Sequence, residues 1–500
     1  MNHALILPIL LPLLVGSLLL ILHGLDRPLK RRLSLAATWL QVPLAIWLLL
    51  LAGDGQLRIY ALGNWQPPFG IILLLDRLSA LMLLLGAVLA GFALLYACRG
   101  DDVRGPNFHA LFQFQLLGVN GAFLTGDLFN LFVFFEILLI ASYALLMHGN
   151  GAARVRAGMH YVVLNLVGSS FFLIGVGILY GLLGTLNMAD LAVKVASADP
   201  ERAPLLSAAA FLLLVVFGLK AALLPLYFWL PRTYAAATAP VAALFTIMTK
   251  VGIYVILRVY TLIFGSAAGT LAGIANDWLW PLALLTLAAG AFGALAARTL
   301  QMLLGYLVIV SVGTLLAVIA LGTEQSYAAA LYYLLHSTLV CGGLFLLADL
   351  LAHQRGAFAA ALQPGPTLRQ PALLGGLFFV GAVSVAGLPP FSGFIGKLLM
   401  LSAAGTGSAA LQLWPVLLIG GLATIIALSR AGSTLFWRSN GEPAGSARCD
   451  AGRLTATLGL LLASVVLVLA ARPVQLYLDA TARQLLDLAP YLQIVAGGAA

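Results

Sequence analysis

Apolar runs of about twenty residues recur along the whole chain, separated by short polar breaks. Each run is long enough to cross a hydrocarbon core of about 30 Å as a helix. The pattern predicts about fourteen spans, near residues 4–22, 34–53, 71–97, 108–125, 128–147, 158–182 and 205–225 in the first half. The second half continues with 240–263, 279–297, 301–321, 326–350, 372–404, 411–435 and 455–471. Met1–Leu22 has no basic leader and no small-residue cleavage site, so it reads as the first span and not as a removable signal. Residues 1–500 are expected to form a single integral membrane domain. The most polar loop is 437–454, and a short interfacial helix is expected within 186–204.

Composition sharpens this picture. The chain is 62% hydrophobic and 9% charged, against about 25% charged residues in a soluble domain. The net charge of +9 does not point to nucleic acid, because the basic residues lie mostly in short loops between spans. Arg27, Lys30, Arg31 and Arg32 follow the first span, Arg99 and Arg104 the third, Arg154 and Arg156 the fifth, and later odd-numbered loops continue the series. Even-numbered loops hold Asp54, Asp190, Asp199, Glu201, Asp277 and Glu324. Positive loops stay in the cytoplasm, so both termini are expected outside. Cys98, Cys341 and Cys449 have no metal-ligand or disulfide spacing, and no cofactor motif is present.

Five charged or titratable residues sit deep in apolar runs, where a charge costs roughly 2.5–3.5 kcal/mol on insertion scales. Glu136 is the carboxylate within the fifth span. It should pair across helices with Lys220 or Lys250, or else stay protonated. Lys220 precedes Pro225, and Lys250 is central in the eighth span; lysine, unlike arginine, can exchange its proton. His336 is the histidine nearest the middle of a span, with Ser311, Ser337 and Thr338 available to hold water beside it. Lys397 follows Pro390 and suits a terminal site towards the outer half of the membrane. Asp76 and Arg77 read as an adjacent acid–base pair, Asp127 and Asp349 as span-end residues, and Arg258 as a snorkelling side chain. Gly177 and Gly181 form a GxxxG, expected to mark close helix packing.

Leu224-Pro225 and Pro389-Pro390 interrupt the seventh and twelfth spans, each beside a lysine. Paired broken helices five spans apart suggest two five-span units of opposite direction, 106–264 (helices 4–8) and 279–436 (helices 9–13). Helices 1–3 (1–105) and helix 14 (455–471) flank them.

The stretches GLKAALLPLYFWLP (218–231), AAATAPVAAL (235–244), KVGIY (250–254) and GLPPFSGFIGK (387–397), with Glu136 and His336, resemble the antiporter-like subunits of respiratory complex I and of Mrp-type cation/proton antiporters. GNWQPPFGIILLLDRLSALML (63–83) and LPLYFWLP (224–231) are most similar to the D-type subunits of the Mrp (Mnh, Pha) antiporters. Thr238 stands just before Ala-Pro, where complex I members often carry histidine. The resemblance implies an all-α fold of fourteen transmembrane helices with inverted five-helix repeats, working only with other membrane subunits. It further implies a bacterial cytoplasmic-membrane location and a proton relay through Glu136, Lys220, Lys250, His336 and Lys397. The expected function is proton movement coupled to export of Na+, or of K+ or Li+, as a secondary transporter and not an enzyme. The alternative is a proton-pumping subunit of an NADH-quinone oxidoreductase or membrane hydrogenase, with a redox partner supplying the energy.

Overall fold

The computed structural model describes residues 2–22, 24–442 and 448–496, so the middle of the polar 437–454 loop lies outside the described residues. The helices are α1 (Leu7–Ile21), α2 (Arg27–Ala52), α3 (Arg77–Ala97), α4 (Phe108–Leu124), α5 (Leu128–Met147), α6 (Ala152–Leu183) and α7 (Met188–Ala196). They continue with α8 (Ala203–Ala221), α9 (Trp229–Ala236), α10 (Ala239–Leu262), α11 (Asn276–Ala296), α12 (Leu300–Ile319) and α13 (Glu324–Arg355). The last are α14 (Pro371–Ala386), α15 (Ser392–Ala403), α16 (Ser408–Gly432), α17 (Ala451–Leu469), α18 (Ala471–Leu486) and α19 (Ala489–Ala496). Among the described residues, twelve helical stretches are long and apolar enough to cross a membrane, with α8–α9 counted as one. Adding α4, which packs along α1 and α5, and the short pair α14–α15 gives fourteen crossings.

Where the third span was expected to begin, ILLL (Ile72–Leu75) is a strand, β2, paired antiparallel with β1 (Arg58–Ala61). The helix starts only at Arg77, because Asp76 and Ser79 form a capping box. The interfacial helix expected in 186–204 is α7. Two further helices that the hydropathy pattern does not predict, α18 and α19, follow α17.

The two halves are built alike. Before α5, Leu128 N donates to Leu186 O and Met188 N to Gly126 O, both at 2.9 Å. Before α12, Leu300 N donates to Ala360 O and Leu362 N to Arg298 O, again at 2.9 Å. Asp127 caps the first of these helices and Thr299 the second. The first exchange sits beside Asp127 and Asn187, the second beside Arg298 and Arg355.

Each half also contains one interrupted helix. α8 stops at Ala221 and Ala222 turns left-handed (φ 65°); α14 stops at Ala386 and Gly387 does the same (φ 77°). Leu224-Pro225 and Pro389-Pro390 are cis. Two glycines let other elements approach these breaks. A Cβ on Gly252 of α10 would lie 2.5 Å from Ala221 N, and one on Gly393 of α15 would overlap the Ser384 carbonyl. α10, wholly interior, therefore rests directly on the end of α8. Gly177 and Gly181 behave otherwise: nothing lies within 4 Å of a Cβ at either, so this GxxxG packs no helix of this chain.

These contacts predict unequal glycine effects. Gly252→Ala should destabilise the purified complex by about 1–3 kcal/mol through overpacking, whereas Gly177→Ala should lie within about 0.5 kcal/mol of wild type. Thermal denaturation in detergent measures both.

Candidate functional site

The interruptions set the geometry of the site, because a helix that stops at membrane depth leaves carbonyls without partners. At the first break the Trp229 indole donates to Leu219 O at 3.2 Å. At the second the Lys397 ammonium donates to Ala386 O at 2.7 Å. Lys397 is thus fixed at the broken end of α14 from one turn inside α15.

The expected Glu136–Lys220 or Glu136–Lys250 ion pair does not form. Glu136 of α5 accepts from the Ser169 hydroxyl of α6. Lys220 of α8 donates to Asn165 Oδ1 at 2.8 Å. Asn165 and Ser169 are one turn apart on α6, so this helix inserts two neutral groups between acid and amine. The Lys220 ammonium also faces the Phe135 ring, 5.8 Å from its centroid.

Lys250 lies at the centre of the bundle, 1% exposed, and donates to Ser311 Oγ of α12 at 3.2 Å. His336 of α13 is equally enclosed, and its Nδ1 meets Ser392 Oγ of α15 at 2.8 Å. Of the hydroxyls expected beside His336, Ser337 and Thr338 are turned to Leu334 O and Ser311 serves Lys250. The five residues lie on α5, α8, α10, α13 and α15, and each amine and the ring is held by a neutral partner. The two ends differ from the middle: Glu136 and Lys397 are half-buried, the other three buried.

Glu136 shares its face of α5 with Phe129, Val133 and Ile140, which are 46%, 37% and 64% exposed. A carboxylate on the perimeter at mid-span is costly against lipid. That cost falls if another subunit covers the face.

Trp229 was not anticipated. It lines a cavity with room for about one water beside Lys220, together with Tyr161, Asn165 and Met248. It also lines a groove of about 560 Å³ bordered by Arg156, His160 and Arg232, on the basic-loop side. Its ring stacks on Tyr161 with centroids 5.0 Å apart. The sequence signal was an aromatic run straight after a membrane-depth proline.

Three expectations from the sequence are corrected. Asp76 is not paired with Arg77: it holds Arg258 of α10 bidentately at 2.6 and 2.9 Å, and both are fully enclosed. Arg258 therefore does not snorkel, while Arg77 donates to Gly53 O. Asp349 is more than a span-end residue, since it accepts from Tyr96 and pairs with Arg453 of α17. On the same face Asp102 is held by Arg31 and His109. Burial opposes its ionisation, but the hydrogen bonds from His109 and Arg31 outweigh burial and keep its carboxyl well below the usual range. Cys98 and His109 converge on Asp102 within 4.8 Å, yet Arg31 already occupies both Asp102 oxygens, an arrangement that suits an ion pair and not a metal.

Residues 125–426 match the family model for the NADH:quinone oxidoreductase/Mrp antiporter transmembrane region, which is more than half the chain. The chain belongs to this family of membrane proteins. It is 44% identical to the D-type subunit of a probable K(+)/H(+) antiporter of Rhizobium meliloti (strain 1021), over 97% of this chain and 96% of the relative. It is 38% identical to the D-type subunit of a Na(+)/H(+) antiporter of Bacillus subtilis (strain 168), over 99% of both. Its fold matches a chain of the Mrp complex from Dietzia sp. DQ12-45-1b with TM-score 0.89 and 27% identity, covering 99% of this chain and 100% of that one. A chain of an archaeal membrane-bound sulfane sulfur reductase matches with TM-score 0.90 and 26% identity over the same shares.

The hydrogen-bond pattern makes Asn165 a testable element. Asn165→Ala should lower transport about tenfold or more, from loss of a hydrogen bond to a charged group worth about 1.5–3 kcal/mol. Asn165→Asp should also lower it, by holding the amine in an ion pair. Cation-dependent pH change in everted vesicles, normalised to assembled complex, reads both.

Proposed function

We propose that this chain is the D-type, proton-conducting member of a multisubunit monovalent cation/proton antiporter in a bacterial cytoplasmic membrane. Protons pass from Glu136 and Lys220 to Lys250, then His336, then Lys397, and their flow is coupled with partner subunits to export of Na+, K+ or Li+. The observation that supports the reading is that the buried amines of Lys220 and Lys250 are held by neutral oxygens and not by carboxylates. An amine bonded to Asn165 or Ser311 can hand on a proton without breaking an ion pair. The groove on the basic-loop side ends at Trp229, next to the Lys220 cavity, which suits proton exchange with the cytoplasm.

Orientation follows the same reading. Fourteen crossings support both termini lying on one side, and the basic odd-numbered loops support that side being outside. The half-exposed Glu136 face is where a neighbouring subunit would sit. The two full-length relatives named as antiporter subunits support the cation/proton role and differ from one another in the cation that they name.

A second reading, a proton-pumping subunit of a redox complex, is favoured by the equal likeness to the archaeal reductase chain. Everted vesicles carrying the whole complex, in a host without its own sodium–proton antiporters, separate the two. Respiration sets up ΔpH, and Na+, K+ or Li+ is added while a pH-sensitive dye is followed. The antiporter reading predicts cation-dependent dequenching that is abolished in Lys220→Ala although the complex still assembles. Full activity in Lys220→Ala would sink the relay, and no dequenching from assembled wild type would favour the redox pump.

A further inference from the structure

α10 carries a second polar line beyond the relay. From Lys250 towards the end of the helix, Tyr254 and Arg258 follow at one-turn intervals, both buried. Arg258 lies about 12 Å along the axis from Lys250, at a rise of about 1.5 Å per residue. It is on the face to which the C-terminal helices return, assigned above to the outside. This is the short way out for a proton on Lys250, and three features close it.

The Tyr254 hydroxyl donates to Phe123 O at 2.6 Å and receives Arg258 Nη2 at 3.3 Å, so its proton is committed. Asp76 Oδ1 accepts from Ser79 N at 2.8 Å and Arg258 Nη2 at 2.9 Å, while Oδ2 accepts from Arg258 Nη1 and the Tyr491 hydroxyl, both at 2.6 Å. A carboxylate offers about four lone-pair sites, and here all are taken. Beside Tyr254, a cavity between α3, α10, α12 and α13 is lined by aliphatic side chains such as Leu78, Leu257, Leu315 and Leu334. It has room for about one water but too few polar partners to keep one.

We propose that Arg258, Asp76 and Tyr491 form a proton seal, latched by the C-terminal helices, that stops protons on Lys250 from leaving along α10 and obliges them to continue to His336. A guanidinium does not release its proton, and an arginine in a narrow pathway excludes protons. Buried ion pairs are poor sources of stability compared with apolar packing, which leaves a role in conduction as the better account of this one. The latch comes from far along the chain: Tyr491 is in α19, and α18 packs on α3, α10 and α13. Gln484 of α18 accepts from Arg77 N at 3.0 Å and donates to Gly55 O at 2.8 Å, so the strap is tied down on both sides of Asp76.

The seal rests on Lys250 being a proton carrier, and the test separates the two ideas. Whole complexes are reconstituted into liposomes in choline buffer free of alkali cations, with a permeant anion to balance charge. An imposed pH gradient is followed with an internal dye. Tyr491→Phe and Asp76→Asn should each speed the collapse at least threefold over wild type, while Tyr260→Phe, whose hydroxyl donates to Ala210 O of α8 away from the seal, should not. The leak should vanish in Tyr491→Phe combined with Lys250→Met. Unchanged collapse in assembled Tyr491→Phe complexes, an equal leak in Tyr260→Phe, or a leak that survives Lys250→Met would overturn the seal. Should Asp76→Asn fail to assemble, Tyr491→Phe decides alone, since it removes one oxygen. Antiport retained in Lys250→Met would overturn the relay itself; antiport lost there, without a leak in Tyr491→Phe, overturns the seal only.

Discussion

At membrane depth a carbonyl released from a helix has no water to turn to, and this structure releases two sets of them, at the ends of α8 and α14. Much of the polar interior follows from how they are satisfied. Trp229 caps the first end and Lys397 the second. Capping by an indole closes the space beside Lys220 with an aromatic stack, and capping by an ammonium places a titratable group at the second break. The two halves share a construction, yet these different caps give them different chemistry. Gly252 and Gly393 then allow α10 and α15 to close on the breaks. That approach brings Lys250 of α10 to the centre, and Gly393 leaves room for His336 of α13.

The partners of the buried amines matter as much as the amines. A carboxylate against Lys220 or Lys250 would hold the charged form strongly. Asn165 and Ser311 satisfy the ammonium geometrically while holding it less firmly. The contrast within α10 is instructive. Arg258 is bound by a carboxylate that accepts four hydrogen bonds, whereas Lys250, two turns away, has a single serine hydroxyl. One helix thus carries an arginine locked to a carboxylate and a lysine held by one neutral hydroxyl.

The spans and the five titratable residues were legible in the sequence because a lone charge in an apolar run is conspicuous against its insertion cost. Their partners were not legible. Asn165, Ser169, Ser311 and Ser392 are ordinary polar residues of membrane helices, and nothing in a hydropathy pattern fixes how a helix is rotated. Glu136 and Lys220 were expected to meet because opposite charges attract, but α6 presents two neutral side chains first. The sequence pairs Asp76 with its chain neighbour Arg77, whereas its partner Arg258 is 182 residues away. The hairpin before α3 was hidden because ILLL reads equally as strand or buried helix. α18 escaped notice because its amphipathic sequence is too polar on average to register as a span.

The central claim is that Lys250 works by exchanging a proton and not by supplying a fixed charge, and Lys250→Arg tests it most directly. The measurement is cation-dependent dequenching in everted vesicles, normalised to assembled complex. Arginine keeps the positive charge but cannot give up its proton. Transport lost at least tenfold, with assembly intact, is the result that the account predicts. Transport retained near the wild-type level would contradict it and make Lys250 a structural charge.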